Sequence, residues 1–258
     1  MKTKIVICLF ILFISSSQIT FADSELFVNP KVIDLLAKEE LKKAATALRN
    51  QQPSDKSIYL LREINNIVLH DAHGYQPDRH DSYGFYKGLG TAYHNLFLFL
   101  KTKSIFQEEF TKKALKYYKR SRSFAGPLDK QEIDILIAAL LAAQDQEKEL
   151  TKAKNIIKKI NLKKMKFDYQ IQECLAAYYA AQKNIELTIK ALRRAYLGRS
   201  KTVLYWIAVG DDFYAIEADP RFQALLKEWA LDKEQNNIHL SQQPKAKPRL
   251  SITRHHRQ

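Results

Sequence analysis

Residues Glu173–Trp229 read ECLAAYYAAQKNIELTIKALRRAYLGRSKTVLYWIAVGDDFYAIEADPRFQALLKEW, and the fold is decided there. Two runs of apolar residues recur every three or four positions, around Leu175 to Tyr179 and Ile189 to Ala195. That spacing predicts two antiparallel helices, about Phe167–Gln182 and Glu186–Leu197, joined by a short turn. From Trp206 the pattern becomes irregular, and at Asp219-Pro220 it resumes. Asp219 is an N-cap residue and Pro220 suits the first helical position, where its missing N–H costs nothing. Phe222, Leu225, Leu226 and Trp229 then share one face of a short closing helix.

Upstream, the same rhythm repeats. Asn29-Pro30 opens a helix with a stripe of Val32, Leu35, Leu36, Leu41, Ala44, Ala45 and Leu48. Gln52-Pro53-Ser54 breaks it, and Asp55 or Ser57 caps the next, which carries Ile58, Leu61, Ile64, Ile67 and Val68. Further helices are expected over about Ser82–Lys101, Ser104–Ser121, Asp129–Gln144 and Glu147–Ile160, with Ala125-Gly126-Pro127 as a stop between the middle two. Gly and Pro number seven each in 258 residues, too few to punctuate a many-stranded sheet with turns. The expected fold is all-α: antiparallel helix hairpins with a period of about 35 to 45 residues, stacked into a short α-solenoid.

Three segments organise the chain. Residues 1–22 carry Lys2 and Lys4, an apolar run from Ile5 to Ile14, and Thr20-Phe21-Ala22 as a cleavage site, the pattern of a signal peptide. The apolar run is half the roughly 20 residues that a spanning helix requires. Export to a periplasm or beyond is therefore expected, with residues 23–231 as the helical domain. Residues 232–258 form a basic tail poor in apolar side chains, expected to be disordered. Cleavage would lower the Lys and Arg count from 42 to 40, against 28 acidic residues. Such an excess favours anionic partners: head groups, cell-wall polymers or acidic proteins, with nucleic acid set aside by export. Cleavage also leaves Cys174 as the one thiol, so packing rather than disulfides must hold the fold.

Tyr86-x-x-Leu89-Gly90-x-x-Tyr93 resembles the first-helix signature of the tetratricopeptide repeat, with Tyr in place of the usual Trp. Gly90 lets the paired helix approach closely, and Phe106 or Phe110, with Ala114, supplies the partner positions. Leu175-Ala176-x-x-Tyr179 and Ala195 fit a late repeat. Trp206-Ile207, Asp211-Asp212, Phe213 and the Asp219–Leu226 segment resemble the closing end of such an array. The likeness is close over 82–121 and 169–230 and loose over 129–161. Over 31–70 only the hairpin rhythm is shared, and a plain bundle or another solenoid remains the alternative.

The resemblance implies a scaffold that binds protein or peptide along the concave face of its first helices. Transferred to this chain, that face includes Lys87, Thr91, His94 and Asn95, with Glu173, Ala177 and Ala181 from the late repeat. The acidic and small residues of the second set argue against a dedicated carboxylate clamp. Two lysine clusters, Lys112 to Arg122 and Lys152 to Lys166, fall on second helices, the convex face. They support a different reading, a peripheral protein held on anionic lipid or wall polymer.

The stretch His70 to Asp81 collects three histidines with Asp71, Asp78 and Asp81, reasonable ligands for zinc at no defined metal spacing. A metal-dependent hydrolase built on His70, His73 and His80 is the remaining alternative to an inter-helix loop. Cys174 lies on an apolar helix with no base at helical spacing, which describes a buried inert thiol. No catalytic residue, metal site or cofactor is assigned, and no enzyme is expected.

Overall fold

The computed structural model describes residues 28–73, 81–163, 165 and 168–230. Residues 1–22, where a signal peptide is expected, and the basic tail 232–258 lie outside them. Among the described residues the chain forms, in order, α1 Pro30–Ala37, α2 Leu41–Arg49, α3 Asp55–His73, α4 Ser82–Thr102, α5 Glu108–Phe124, α6 Pro127–Ala142, α7 Glu147–Lys158, α8 Tyr169–Ala181 and α9 Ile185–Val209. A 3-10 turn follows at Tyr214–Ile216, and a last helix, α10, covers 220–230. Among the described residues there is no strand. The fold is all-α.

Two compact units divide between Ala215 and Ile216. In the first, α1 packs on α2, α4 on α5, α6 on α7 and α8 on α9, while α5 meets α6 and α6 meets α8. These are helix hairpins stacked side by side, each burying its apolar face against its neighbours. In the second unit, Phe222, Leu225 and Trp229 of α10 are buried. Asp219 caps this helix by accepting the Arg221 N–H at 2.8 Å.

The hairpins share a turn. Each of the four has one non-glycine residue in the left-handed region: Glu39, Ser104, Asp145 and Lys183, with φ of 58°, 60°, 56° and 57°. In three of them the next N–H reaches back five residues: Glu40 to the Leu35 carbonyl, Ile105 to Leu100 and Asn184 to Tyr179, at 2.8 to 3.0 Å. This arrangement closes a helix by satisfying carbonyls that would otherwise lack donors. Neighbouring hairpins hold these turns as well. The Gln107 side chain donates to the Ala37 carbonyl at 2.8 Å, and Lys101 donates to the Ala143 carbonyl and pairs with Asp145.

Three departures from expectation stand out, the first two explained by the same turn. The stripe from Val32 to Leu48 forms two helices rather than one, because the chain reverses at Glu39. Helix α5 starts at Glu108 and not at Ser104, since Ser104 is the left-handed turn residue. Ser54, rather than Asp55 or Ser57, caps α3: its hydroxyl accepts from Ser57 N at 3.1 Å while the Ser57 hydroxyl accepts from Ser54 N at 2.8 Å. Ile58, expected to be apolar and inward, is 53% exposed, and Tyr59 and Leu60 are buried in its place; of the two alternatives Phe106 and Phe110, Phe110 is buried and Phe106 is 48% exposed.

The largest correction concerns α9. It was expected to end near Leu197. It runs through Gly198 to Val209, so Trp206 sits on a helix and not in an irregular linker. A Cβ at Gly198 would fall 2.1 Å from the ring of Tyr169 at the start of α8. The glycine serves close approach rather than helix termination.

A second close approach is at Gly90, where a Cβ would lie 2.5 Å from Cδ1 of Tyr118. Tyr118 is fully buried, and beside it Phe97, Phe110 and Leu96 fill the α4–α5 core. Each such ring or aliphatic side chain adds about 1.5–3 kcal/mol on burial. On the other side of this hairpin four rings run in near-parallel order: Phe124 with Tyr86 at 5.9 Å, Tyr86 with Tyr117 at 6.3 Å, and Tyr117 with Tyr93 at 5.7 Å. Arg120, Lys116 and Lys113 lie over Tyr86, Tyr117 and Tyr93 in turn.

Candidate functional site

Helical spacing brings polar side chains from successive hairpins into one cleft of about 340 Å³ within the first unit. Lys87, Thr91, His94 and Asn95 recur at three- or four-residue steps and so share one face of α4. Glu132, Leu136 and Ala139 do the same on α6, and Gln170, Glu173, Cys174 and Ala177 on α8. These are the first helices of three consecutive hairpins. Tyr59, Arg62 and Glu63 of α3 form a side wall, and Tyr205 and Trp206 of α9 another, with Asp212 beyond. Lys56 of α3 pairs with Asp211, which ties those two walls together.

All four residues expected on the concave face are in the cleft, as are Glu173 and Ala177; Ala181 is not among its lining residues. Their states differ from the simple expectation. Lys87 pairs with Glu132 at 2.9 Å, and Glu132 also accepts from Tyr83 and Gln170. The ammonium is thus engaged across the α4–α6 boundary rather than presented to a carboxylate ligand. His94 is buried, and loss of hydration pushes its pKa down to about 3, so it is a neutral ring at physiological pH. Its Nδ1 lies 3.2 Å from the Tyr118 hydroxyl, and that hydroxyl reaches Thr91 at 3.5 Å. Through Tyr118, the close packing at Gly90 sets the cleft floor.

The walls hold what sequence reading missed. Glu63 is buried, pairs with Arg62 at 2.9 Å, and burial raises its pKa against the influence of Arg62 and Asn95. Asp212 accepts the Trp206 indole N–H at 2.7 Å, and burial pushes its pKa up to about 6. The Trp206 ring meets Phe213 edge-on at 4.8 Å, which fixes the indole. One sequence signal pointed at Glu132: a carboxylate in the strongly apolar Ile133–Ala143 neighbourhood, where burial demands partners. Nothing local pointed at Glu63 or Asp212, because their enclosure comes from helices distant in sequence.

The other candidates resolve as follows. Cys174 is buried and lines the cleft, and burial raises its thiol well above the ordinary value, the state of an unreactive thiol. His70 lies on α3 and not in a loop, edge-on to Phe85 at 5.2 Å and Tyr117 at 5.8 Å. Among the described residues no group of three or more His, Cys, Asp or Glu could hold a metal ion; His80 lies outside them. In the lysine clusters, Lys112, Lys116 and Lys119 of α5 and Lys152, Lys154 and Lys158 of α7 are exposed. Among the described residues no helix is long and apolar enough to cross a membrane. No family model, curated protein or solved structure matches the chain.

Proposed function

We propose that this chain is an exported, tetratricopeptide-like scaffold that holds a peptide segment of a partner protein in its cleft. One observation carries the reading: first helices of three consecutive hairpins each turn one face, with polar side chains on all three, into the same cleft, lined further by aromatic side chains. A groove of that make-up offers backbone-pairing groups such as Thr91, Asn95 and Gln170 beside apolar surface from Leu136, Ala139 and Ala177. The signal-like residues 1–22 support placement in a cell envelope. No constellation of nucleophile, base and oxyanion donor accompanies the cleft among the described residues, which favours binding over turnover.

The exposed lysines of α5 and α7 favour a second reading, attachment to anionic lipid or wall polymer. Retention of a degenerate peptide library separates the two. Ala177→Phe, which fills the cleft, should abolish retention, and half-molar salt should only weaken it. Retention that is unchanged in Ala177→Phe and lost in salt would place binding on the lysine face and end the groove reading.

A further inference from the structure

The cleft is charged oppositely to the chain around it. Over the whole sequence 42 basic residues stand against 28 acidic ones, a net charge of +14. In the cleft four carboxylates, Glu63, Glu132, Glu173 and Asp212, face two cations, Arg62 and Lys87. Both cations are already engaged, Arg62 by Glu63 and Lys87 by Glu132, each at 2.9 Å. Lys56, the next cation outward, is held by Asp211. His94 adds no positive charge, being buried and neutral.

An acidic ligand entering this space would meet excess negative charge and no cation that is not already matched. Low-dielectric walls strengthen that field. The rings of Tyr205 and Trp206 that line the same cleft suit a cation, since the ring quadrupole attracts one and an aliphatic stem packs on the ring edge; the Tyr59 ring already carries Arg62 over it at 5.1 Å.

We infer that the cleft receives a basic side chain, arginine or lysine, of the bound peptide, with Glu173 and Asp212 as its counter-charges and Trp206 as its wall. The inference rests on the groove reading and adds the ligand's chemistry to it. It also reverses the partner expected from net charge, because the lysines that dominate the total lie on second helices, away from the cleft.

The test uses acetylated, amidated nonapeptide pools with the central residue set as Arg, Lys, norleucine or Glu, the other positions drawn from Ala, Ser, Leu and Tyr. Binding to the full chain is read by fluorescence anisotropy. The Arg and Lys pools should bind about 10-fold more tightly than the norleucine pool, the gain expected of one charge-assisted contact, with the Glu pool weakest. In Glu173→Gln and in Asp212→Asn, each checked for folding by circular dichroism, the Arg-to-norleucine ratio should fall to about 3-fold or less. Equal binding of Arg and norleucine pools that Ala177→Phe abolishes overturns the inference and leaves the groove. An Arg preference unmoved by either variant overturns it too, because the charge read would lie elsewhere. If no pool binds, both readings fail.

Discussion

Replacing Gly90 by alanine tests the link between the α4–α5 packing and the cleft. In an exposed helix interior, Gly→Ala raises stability by about 1 kcal/mol, since alanine restricts the unfolded chain. At Gly90 the added methyl would sit 2.5 and 2.7 Å from two carbons of the Tyr118 ring. That ring is fully buried and cannot swing away without displacing its neighbours. Overpacking of this kind costs about 1–3 kcal/mol, enough to cancel the propensity gain and reverse the sign. Gly88, two residues earlier and on the opposite side of the same helix, has nothing within 4 Å of its would-be Cβ. Gly88→Ala should therefore stabilise by about 0.5–1 kcal/mol while Gly90→Ala destabilises by about 1–2 kcal/mol. In thermal unfolding, each 1 kcal/mol corresponds to about 2–4 °C for a chain of this size. Urea titration provides an independent free energy. Adding Tyr118→Leu to Gly90→Ala should recover part of the loss, since the clash needs the ring. Two variants that shift Tm upward together would refute the close approach, and with it the role of Tyr118 in setting the cleft floor.

Two further outcomes follow from the turns and the walls. Lys183 is exposed and holds φ at 57°, a conformation that glycine adopts without the Cβ penalty. Lys183→Gly should raise stability by about 0.5–1 kcal/mol in urea unfolding, and a loss would mean the side chain serves the turn. Asp212 concerns pH: with its pKa raised from 3.8 to about 6, the folded protein keeps a proton that the unfolded chain releases between those values. Its contribution to stability is therefore lost as pH rises through that window. His94, lowered from 6.5 to about 3, acts in the opposite sense, losing stability as pH falls. Asp212→Asn removes only the first effect. Its stability relative to the parent should climb between about pH 4 and 6 and then level, by on the order of 1–3 kcal/mol. A difference that stays flat across pH would show that Asp212 ionises as an ordinary carboxylate.

Some of this was legible in the residues. Lys87, Thr91, His94 and Asn95 could be placed on one face through the resemblance to a tetratricopeptide first helix, and Gly90 could be assigned to close packing from its position in Tyr86-x-x-Leu89-Gly90-x-x-Tyr93. The hairpin turns were not legible. Left-handed residues in helix turns are usually glycine, and here they are Glu39, Ser104, Asp145 and Lys183, with nothing local to mark them. The length of α9 was not legible either: it was expected to end near Leu197, yet it continues through Gly198, where a Cβ would meet the Tyr169 ring.

By itself the sequence determined that the chain is all helix and that helices come in pairs. Those properties depend on propensity and on periodicity within about ten to twenty residues. Tertiary structure decided the charge of the cleft. Glu63, Glu132, Glu173 and Asp212 are spread over 150 positions, and in the linear charge pattern they vanish among 42 bases. Only when α3, α6, α8 and the end of α9 converge do they face one enclosed volume, where burial raises the pKa of Glu63 and Asp212 and the lysines of the second helices are turned away. Net charge is a sum over residues, whereas a ligand meets the field of those that surround it.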